Sequence, residues 1–413
     1  MKLRFFSAYE LAMATFYSDL LPHLAAAGHW VEVVISRAEY RAGRRLEDVA
    51  CHGNHIRVYR TASFGLKPTN TLKSALVMAI YLVHVVLYTL FGARADRNVF
   101  LTTPPLLPLW GYVLSRLRGQ PYTCIVMDVY PELFVAYGRL RHDARLTRLF
   151  ARLSSFALRH ADSVIVIGRC MAERIQAKGV AAERLHVIPN WMNEQLVTPV
   201  PHEDNPFRQE HGLTGKFVVL YSGNMGQYHN FNDILTVAQM LHNHANIAFV
   251  FIGDGARRAA IETWVQKHRL ANVLLLPYQD VKQLSYSLSA GDLHLVTLMA
   301  ACTGFAVPSK SYGILAAGRP ILYQGHPNGE IARLIREEGI GSVVAIDDPE
   351  GLRQCILRYA DDPSLIQEQG QKARRLLEGP YSRAAALARY TAVLTGTAEA
   401  RHPITATSEA TLP

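Results

Sequence analysis

Cysteine and charge are both sparse in this chain. Five cysteines (Cys51, Cys124, Cys170, Cys302 and Cys355) stand far apart, with no CxxC pair and an odd total. That spacing excludes a disulfide framework and a cysteine-based zinc site, and makes a reducing cytosol the expected compartment. Charged residues are only 19% of the 413, against 49% hydrophobic, which excludes a disordered chain and leaves enough apolar matter for large cores. No unbroken apolar stretch precedes a cleavage site near the N-terminus, which reads as strand, loop and helix rather than as a signal peptide. No repeat of solenoid period is present. Long hydrophobic runs are also few. The most prominent, residues 74–91 (SALVMAIYLVHVVLYTLF), carries no formal charge over about eighteen residues, the lower edge of membrane-spanning length. It is expected to be a buried core helix, with a shallow monotopic dip as the alternative. Spanning would put strands of one sheet on two sides of a bilayer.

What is present is a regular alternation. Apolar runs at 31–35, 99–101, 122–127, 163–167 and 185–188 read as strands of a first half, and those at 217–221, 248–252, 273–276, 293–298 and 320–323 as strands of a second. Near-continuous Val/Ile/Leu runs suit parallel sheets covered on both faces, and the helical stretches between them imply βαβ crossovers. The break falls at 193–215, rich in Pro, Asn and charge. The expected class is therefore α/β: two Rossmann-like, doubly wound parallel-sheet domains facing a cleft, residues 1–200 and 214–380, with a helix near 381–395 crossing back to the first and a disordered tail from 396. Such folds bind ligands at the carboxyl ends of their strands.

Charge is unevenly shared. Through Leu213 there are 25 lysines and arginines against 17 acidic residues; after it, 18 against 17. A basic half attracts anions such as anionic lipid or phosphorylated substrates. Residues 140–160 (LRHDARLTRLFARLSSFALRH) concentrate this charge: Arg141, Arg145, Arg148 and Arg152 recur at helical spacing beside Leu149, Leu153 and Phe156. A basic amphipathic helix of this kind can lie on anionic headgroups, and a solvated surface face is the plainer reading. It lacks the interleaved aromatic platform that nucleic-acid binding uses.

Candidate chemistry sits where Gly and polar residues follow predicted strands. Gly223, Asn224 and Gly226, with His229 just after, form a glycine turn whose N–H groups can approach phosphate. A second turn holds Gly253, Asp254 and Gly255. A third stretch, VPSKSYGILAAGRP, places Ser309 and Lys310 at a helix start, a mobile positive charge suited to a diphosphate without metal. A fourth carries Gly329 and Glu330. Each loop alone has an ordinary structural reading, and His229 alone is more often a structural histidine.

Taken together, the order YSGN, GDG, VPSKxYGxxAAGRP and GEIA resembles the retaining glycosyltransferases of family 4, of the type that assembles bacterial capsule, colanic acid and O-antigen. The stretch TTPPLLPLWGYVLSRLRGQPYTCIVMDVYPE and HVIPNWMN extend the resemblance through the first half. It implies a GT-B fold, a nucleotide-sugar donor (UDP being the commonest) and a lipid-linked, polyprenyl-diphosphate saccharide acceptor at the inner face of the cytoplasmic membrane. It implies no cofactor and no metal; no nucleic-acid partner is expected, since the arginine helix lacks an aromatic platform. By the same resemblance Lys310 and Gly223, Asn224 and Gly226 meet the diphosphate, with His229, if protonated, assisting. Asp254 and Tyr278 lie near the base, Ser309 and Gly313 belong to the donor-binding block, and Gly329 and Glu330 flank sugar or ribose. Asp128 is the candidate catalytic or acceptor-orienting carboxylate; capping the following turn is its structural alternative. Two departures stand out. Phe305 and Gly313 occupy positions where many members carry paired glutamates, so Glu330 is the candidate to hold the ribose. The loop 7–15 lacks the paired glycines of relatives. A same-fold epimerase, or a non-catalytic nucleotide-sugar-binding scaffold, are the alternatives.

Overall fold

A computed structural model describes residues 1–8, 17–36, 55–62 and 71–397. Contacts divide the chain into two units, Met1–Pro189 with Ala386–Pro413, and Asn190–Ala385. The first contains a seven-stranded sheet in the order β3-β2-β1-β4-β5-β6-β7 and the second a six-stranded sheet in the order β10-β9-β8-β11-β12-β13, with every pairing parallel.

In the first unit the strands are β1 (Lys2–Ser7), β2 (Trp30–Ser36), β3 (Ile56–Thr61), β4 (Arg97–Leu101), β5 (Tyr122–Val126), β6 (Ser163–Val166) and β7 (Leu185–Val187). β1, β2, β4, β5 and β6 are almost wholly buried, as their apolar runs require of strands covered on both faces. β3 is different: IRVYRT alternates and stays half-exposed at the sheet edge. Arg4 of β1 is nonetheless fully buried. Its Nε donates to Glu32 and Nη2 to the Ala93 carbonyl, at 2.7 Å.

The helix Thr71–Phe91 departs from expectation. It buries Val77, Tyr81, Val85 and Thr89, one residue per turn, while Leu76, Val83, Leu87 and Phe91 are exposed on another stripe, Phe91 at 84%. It is thus a surface helix with an apolar outer face rather than a core helix. Among the described residues no helix is long and apolar enough to cross a membrane. The helix Arg145–Arg159 forms as the charge spacing suggests. Arg145, Arg148 and Arg152 are exposed on it, as are Leu146 and Leu149, while Thr147, Ser154, Ala157 and Leu158 are buried. Arg141 precedes it and pairs with Asp143 at 2.8 Å.

The second unit contains β8 (Phe217–Ser222), β9 (Ile247–Ile252), β10 (Val273–Leu276), β11 (Leu293–Thr297), β12 (Ile321–Gln324) and β13 (Gly341–Val344). Its core joins Val219, Tyr221, Phe249 and Phe251 to Ile234, Val237 and Ile356 on the covering helices. The chain divides at Pro189, ahead of the 193–215 stretch, because that stretch is fastened to the second unit. Arg374 donates to the carbonyls of Val197 (2.9 Å) and Glu194 (3.2 Å), and Ser285 and Ser289 accept from the N–H groups of Thr198 and Val200. The helix Arg383–Thr395 runs across the second boundary. From Ala386 it belongs to the first unit, where Tyr390 packs edge-on against Tyr17. Of the tail, residues 398–413 lie outside the described residues.

Candidate functional site

The second sheet winds in one direction from β8 through β9 to β10 and in the other from β11 through β12 to β13. The carboxyl ends of β8 and β11 therefore flank a topological switch point, where an open α/β sheet leaves a crevice. Gly223 follows β8 with φ +135°, and Gly253 follows β9 with φ +131°, conformations open to glycine and closed to other residues. The two turns are in close contact. A Cβ on Gly253 would stand 2.2 Å from the Gly223 carbonyl oxygen, and one on Gly255 2.6 Å from Asn224 Oδ1. Backbone bonds stitch them together: Gly223 N–H to Ile252 O (2.9 Å), Met225 N–H to Asp254 O (2.8 Å) and Arg257 N–H to Met225 O (2.9 Å).

Lys310 comes to this turn from the helix Lys310–Ala316, which Ser309 precedes. Its Nζ lies 3.9 Å from the centre of the Tyr221 ring and donates to the Tyr221 hydroxyl, which in turn donates to Asn224 O at 2.8 Å. A Cβ on Gly223 would be 3.3 Å from Lys310 Cε, so the glycine also leaves room for the lysine stem. Among the described residues Lys310 forms no ion pair, and burial holds its pKa well below that of an exposed lysine. A cation with a phenol and a ring face for company, and no carboxylate, is electrostatically incomplete.

His229 is buried, and its Nδ1 lies 2.5 Å from Thr297 O. A carbonyl only accepts, so Nδ1 carries the proton. Burial, and then Lys310, push the His229 pKa well below 6.5, against the Thr297 hydrogen bond that raises it. Protonation of His229, the condition on its expected assistance, is disfavoured both by burial and by Lys310.

Tyr278 is exposed at the surface, its hydroxyl donating to Asp254 O at 3.3 Å and its ring edge beside Gly253. Asp254 Oδ1 accepts from Gly255 N–H at 2.7 Å. Gly226 sits between Asn224 and the His229 ring. The fold therefore gathers Gly223, Asn224, Gly226, His229, Asp254, Tyr278 and Lys310 around one crevice. Gly313 lies deeper in the Lys310 helix, where a Cβ would meet Met192 at 3.3 Å. Gly329 and the buried Glu330 begin the helix after β12, beside Tyr323. Sequence reading gave Tyr221 no role, although it opens the YSGN motif. It also missed Arg258, whose Nη1 clamps the carbonyls of Gly253 (2.5 Å) and Leu276 (2.9 Å) and fixes the second turn.

The comparisons with known proteins follow this division. Residues 12–191 match the glycosyl transferase 4-like domain, and residues 203–376 match the glycosyl transferases group 1 domain. The "Probable glycosyltransferase WbjE" of Pseudomonas aeruginosa is 33% identical over 299 residues, 72% of this chain and 74% of that protein. The chain belongs to the glycosyltransferases. It is also 26% identical, over 82% of its length and 87% of the other's, to a protein of Escherichia coli K12 named for colanic acid biosynthesis, the glycosyl transferase WcaI. In fold it is similar to a sucrose-phosphate synthase from Thermosynechococcus elongatus (TM-score 0.76, 19% identity, 97% of this chain and 100% of the other). It is likewise similar to Anabaena HepE, solved with UDP-glucose (TM-score 0.74, 15% identity, 96% and 100%). The two-sheet GT-B architecture and the glycosyltransferase class read from the sequence are both borne out.

In the transferase's first unit, Asp128 follows β5. Tyr130 donates to its carboxylate at 3.2 Å, and Thr102, just past β4, donates to its carbonyl at 3.3 Å. Burial pushes the Asp128 pKa up to about 6, against the hydrogen bond from Tyr130 that lowers it. A carboxyl poised there can exchange a proton near neutrality, which an ordinary aspartate does not. The loop 7–15 lies, from residue 9 onward, outside the described residues. Among the described residues no cluster of three or more His, Cys, Asp or Glu is placed to hold a metal ion.

Proposed function

We propose that this glycosyltransferase moves a sugar, with retention of configuration, from a nucleoside-diphosphate sugar to a lipid-linked saccharide of a bacterial surface polysaccharide. The observation that carries the donor side is Lys310, a half-buried lysine that has no carboxylate partner among the described residues and is backed by a glycine turn. An incoming diphosphate supplies the missing negative charge. When the sugar–phosphate bond breaks, negative charge grows on the leaving phosphate and the lysine stabilises it most at that moment. Neutral His229, with Nδ1–H committed to Thr297, offers Nε2 as an acceptor for a hydroxyl. Asp128 is assigned to the acceptor, orienting the attacking hydroxyl, whose proton passes to the leaving phosphate on the same face. Asp254 and Tyr278 are assigned to the base and Glu330 to the ribose or sugar. No metal is needed for this chemistry, since Lys310 supplies the charge. HepE, which shares the fold, was solved with UDP and with UDP-glucose, so UDP-sugars are the first donors to try.

The lipid side rests on the first unit. The helix Thr71–Phe91 exposes a stripe of Leu76, Val83, Leu87 and Phe91, and the helix Arg145–Arg159 exposes Arg145, Arg148 and Arg152 with Leu146 and Leu149. Both pack against the helix Leu107–Arg118, which adds exposed Leu117. Apolar side chains in the acyl boundary and arginines at the headgroups would hold the enzyme against an anionic membrane. Binding of UDP-, GDP- and ADP-sugars, followed by nucleotide release with and without bacterial membrane lipid, tests the whole reading. Saturable binding with lipid-dependent release is expected. Binding without release from any extract would favour a non-catalytic binding protein, and products formed from donor alone would favour an epimerase.

A further inference from the structure

The second unit contains a cavity of about 580 Å³ beside the donor crevice, on the face covered by the helices Asn232–Met240 and Arg258–His268. Its size suits a small-molecule site, typically ~300–1,000 Å³. Of the residues assigned to the donor only His229 lines it; Gly223, Asn224, Asp254, Tyr278 and Lys310 do not. Its apolar lining includes Leu235, Ile261 and Trp264. The rim is polar and mixed in sign, with Asn232, Arg257, His326 and Asp347.

The walls are fastened together from behind. Asp233, buried in the first turn of its helix, accepts with one oxygen from Gln324 Nε2 (2.6 Å) and from Asp347 N–H (2.9 Å); Asn230 Nδ2 stands 3.5 Å from the same atom. One carboxylate thus ties the exit of β8, the end of β12 and the loop after β13. That loop holds Asp347 at φ +62°, an uncommon conformation for a residue with a side chain. Departures of this kind persist where the surroundings over-determine them, and they cluster at ligand sites. Among the described residues Arg257, Asn232 and Asp347 have no side-chain partner, and His326 uses Nδ1 alone, accepting from Asn328 N–H at 3.1 Å.

We propose that this cavity is a saccharide-binding subsite, distinct from the donor crevice, that takes one to three neutral sugar units of the glycan being extended. The chemistry selects among ligands. A sugar ring has C–H faces for Leu235, Ile261 and Trp264, and hydroxyls that both donate to Asp347 and accept from Arg257 and Asn232. A diphosphate would meet the Asp347 carboxylate, and an acyl chain would leave the polar rim of Asn232, Arg257, His326 and Asp347 unused. The inference rests on the transferase reading for its ligand and on the cavity alone for its place.

The full-length protein is titrated with neutral di- and trisaccharides of hexose and N-acetylhexosamine, with UDP held saturating so that the donor crevice is filled. At least one saccharide is expected to bind saturably. Its affinity should fall at least tenfold in Asp347→Gly and Arg257→Gln, with UDP affinity unchanged in both. The two positions are exposed, and glycine accepts the Asp347 conformation, so the variants keep the fold. Absence of saturable binding to a protein that still binds UDP would overturn the proposal, as would undiminished binding in both variants. Failure of UDP itself to bind would count against the donor reading instead. The glycan could be free or carried on lipid. Competition by the same saccharide presented on vesicle lipid would identify the lipid-linked form, and lack of competition the free one.

Discussion

Glycine 253 offers a quantitative test of the donor crevice. In Gly253→Ala the new Cβ would lie 2.2 Å from the Gly223 carbonyl oxygen, and a tolerable approach begins near 3.0 Å. The two turns must therefore part by about 0.8 Å, and Gly223 is the residue whose open side accommodates the Lys310 stem at 3.3 Å. The φ of +131° adds a conformational cost of about 1–3 kcal/mol for any residue with a side chain. In a unit of this size each kcal/mol lowers Tm by about 2–4 °C, so a fall of roughly 2–12 °C is expected before the clash is counted. Gly212→Ala is the matched control: φ is +64° and nothing lies within 4 Å of its added Cβ, so it reports backbone cost without displacement. Calorimetry should show Gly253→Ala well below Gly212→Ala. Titration with UDP should show a loss of at least tenfold in the former and none in the latter. Equal Tm values with unchanged UDP affinity would refute the geometry on which the donor site is built.

Asp128→Asn should abolish transfer yet stabilise the protein near pH 7.5. A carboxyl pushed up to about 6 is favoured in its protonated form by the fold, so its contribution is present at low pH and is lost as pH rises through 6. Asparagine removes that penalty, a gain of about 1–2 kcal/mol after allowing for partial exposure, and the difference should vanish towards pH 4. Thermal unfolding between pH 4 and 8 checks the sign, and a variant less stable at pH 7.5 would contradict it. Replacing Arg145, Arg148 and Arg152 by glutamine should weaken binding to anionic vesicles by roughly 10²-fold, at about 1 kcal/mol per arginine. Val83→Ser with Leu87→Ser should weaken binding to anionic and zwitterionic vesicles alike, because both side chains are on the exposed stripe. Co-sedimentation unaffected by either set would remove the membrane assignment.

The legible part of the fold was the part buried on two faces. β2, β4, β5, β6, β8, β9 and β11 are near-continuous apolar runs because helices cover them on both sides, and such runs announce themselves. β3 and β13 were not anticipated. Both are edge strands: IRVYRT alternates, and GSVV is four residues long and opens on a glycine pressed against Ile321 O. The Thr71–Phe91 helix misled for the opposite reason. A helix apolar all round ordinarily signals a core, yet only one stripe of this one is covered. Within the site, the glycine turns and Lys310 stood out as motifs. Tyr221 did not, since nothing local shows that a lysine 89 residues later will settle on its ring. Nor could the charge of His229 be read from sequence, because its neutrality follows from burial and from Lys310.

The most direct test of nucleotide-sugar transfer by Lys310 compares Lys310→Gln with wild type for UDP affinity, turnover and Tm. Removing one donor from such a site ordinarily costs roughly 10²–10³ in rate. Turnover is expected to fall by that factor and UDP affinity to weaken, while Tm without nucleotide stays level or rises, since a half-buried amine whose charged form is disfavoured by its surroundings has been removed. Wild-type turnover and UDP affinity in a folded Lys310→Gln protein would contradict the claim that Lys310 holds the leaving diphosphate.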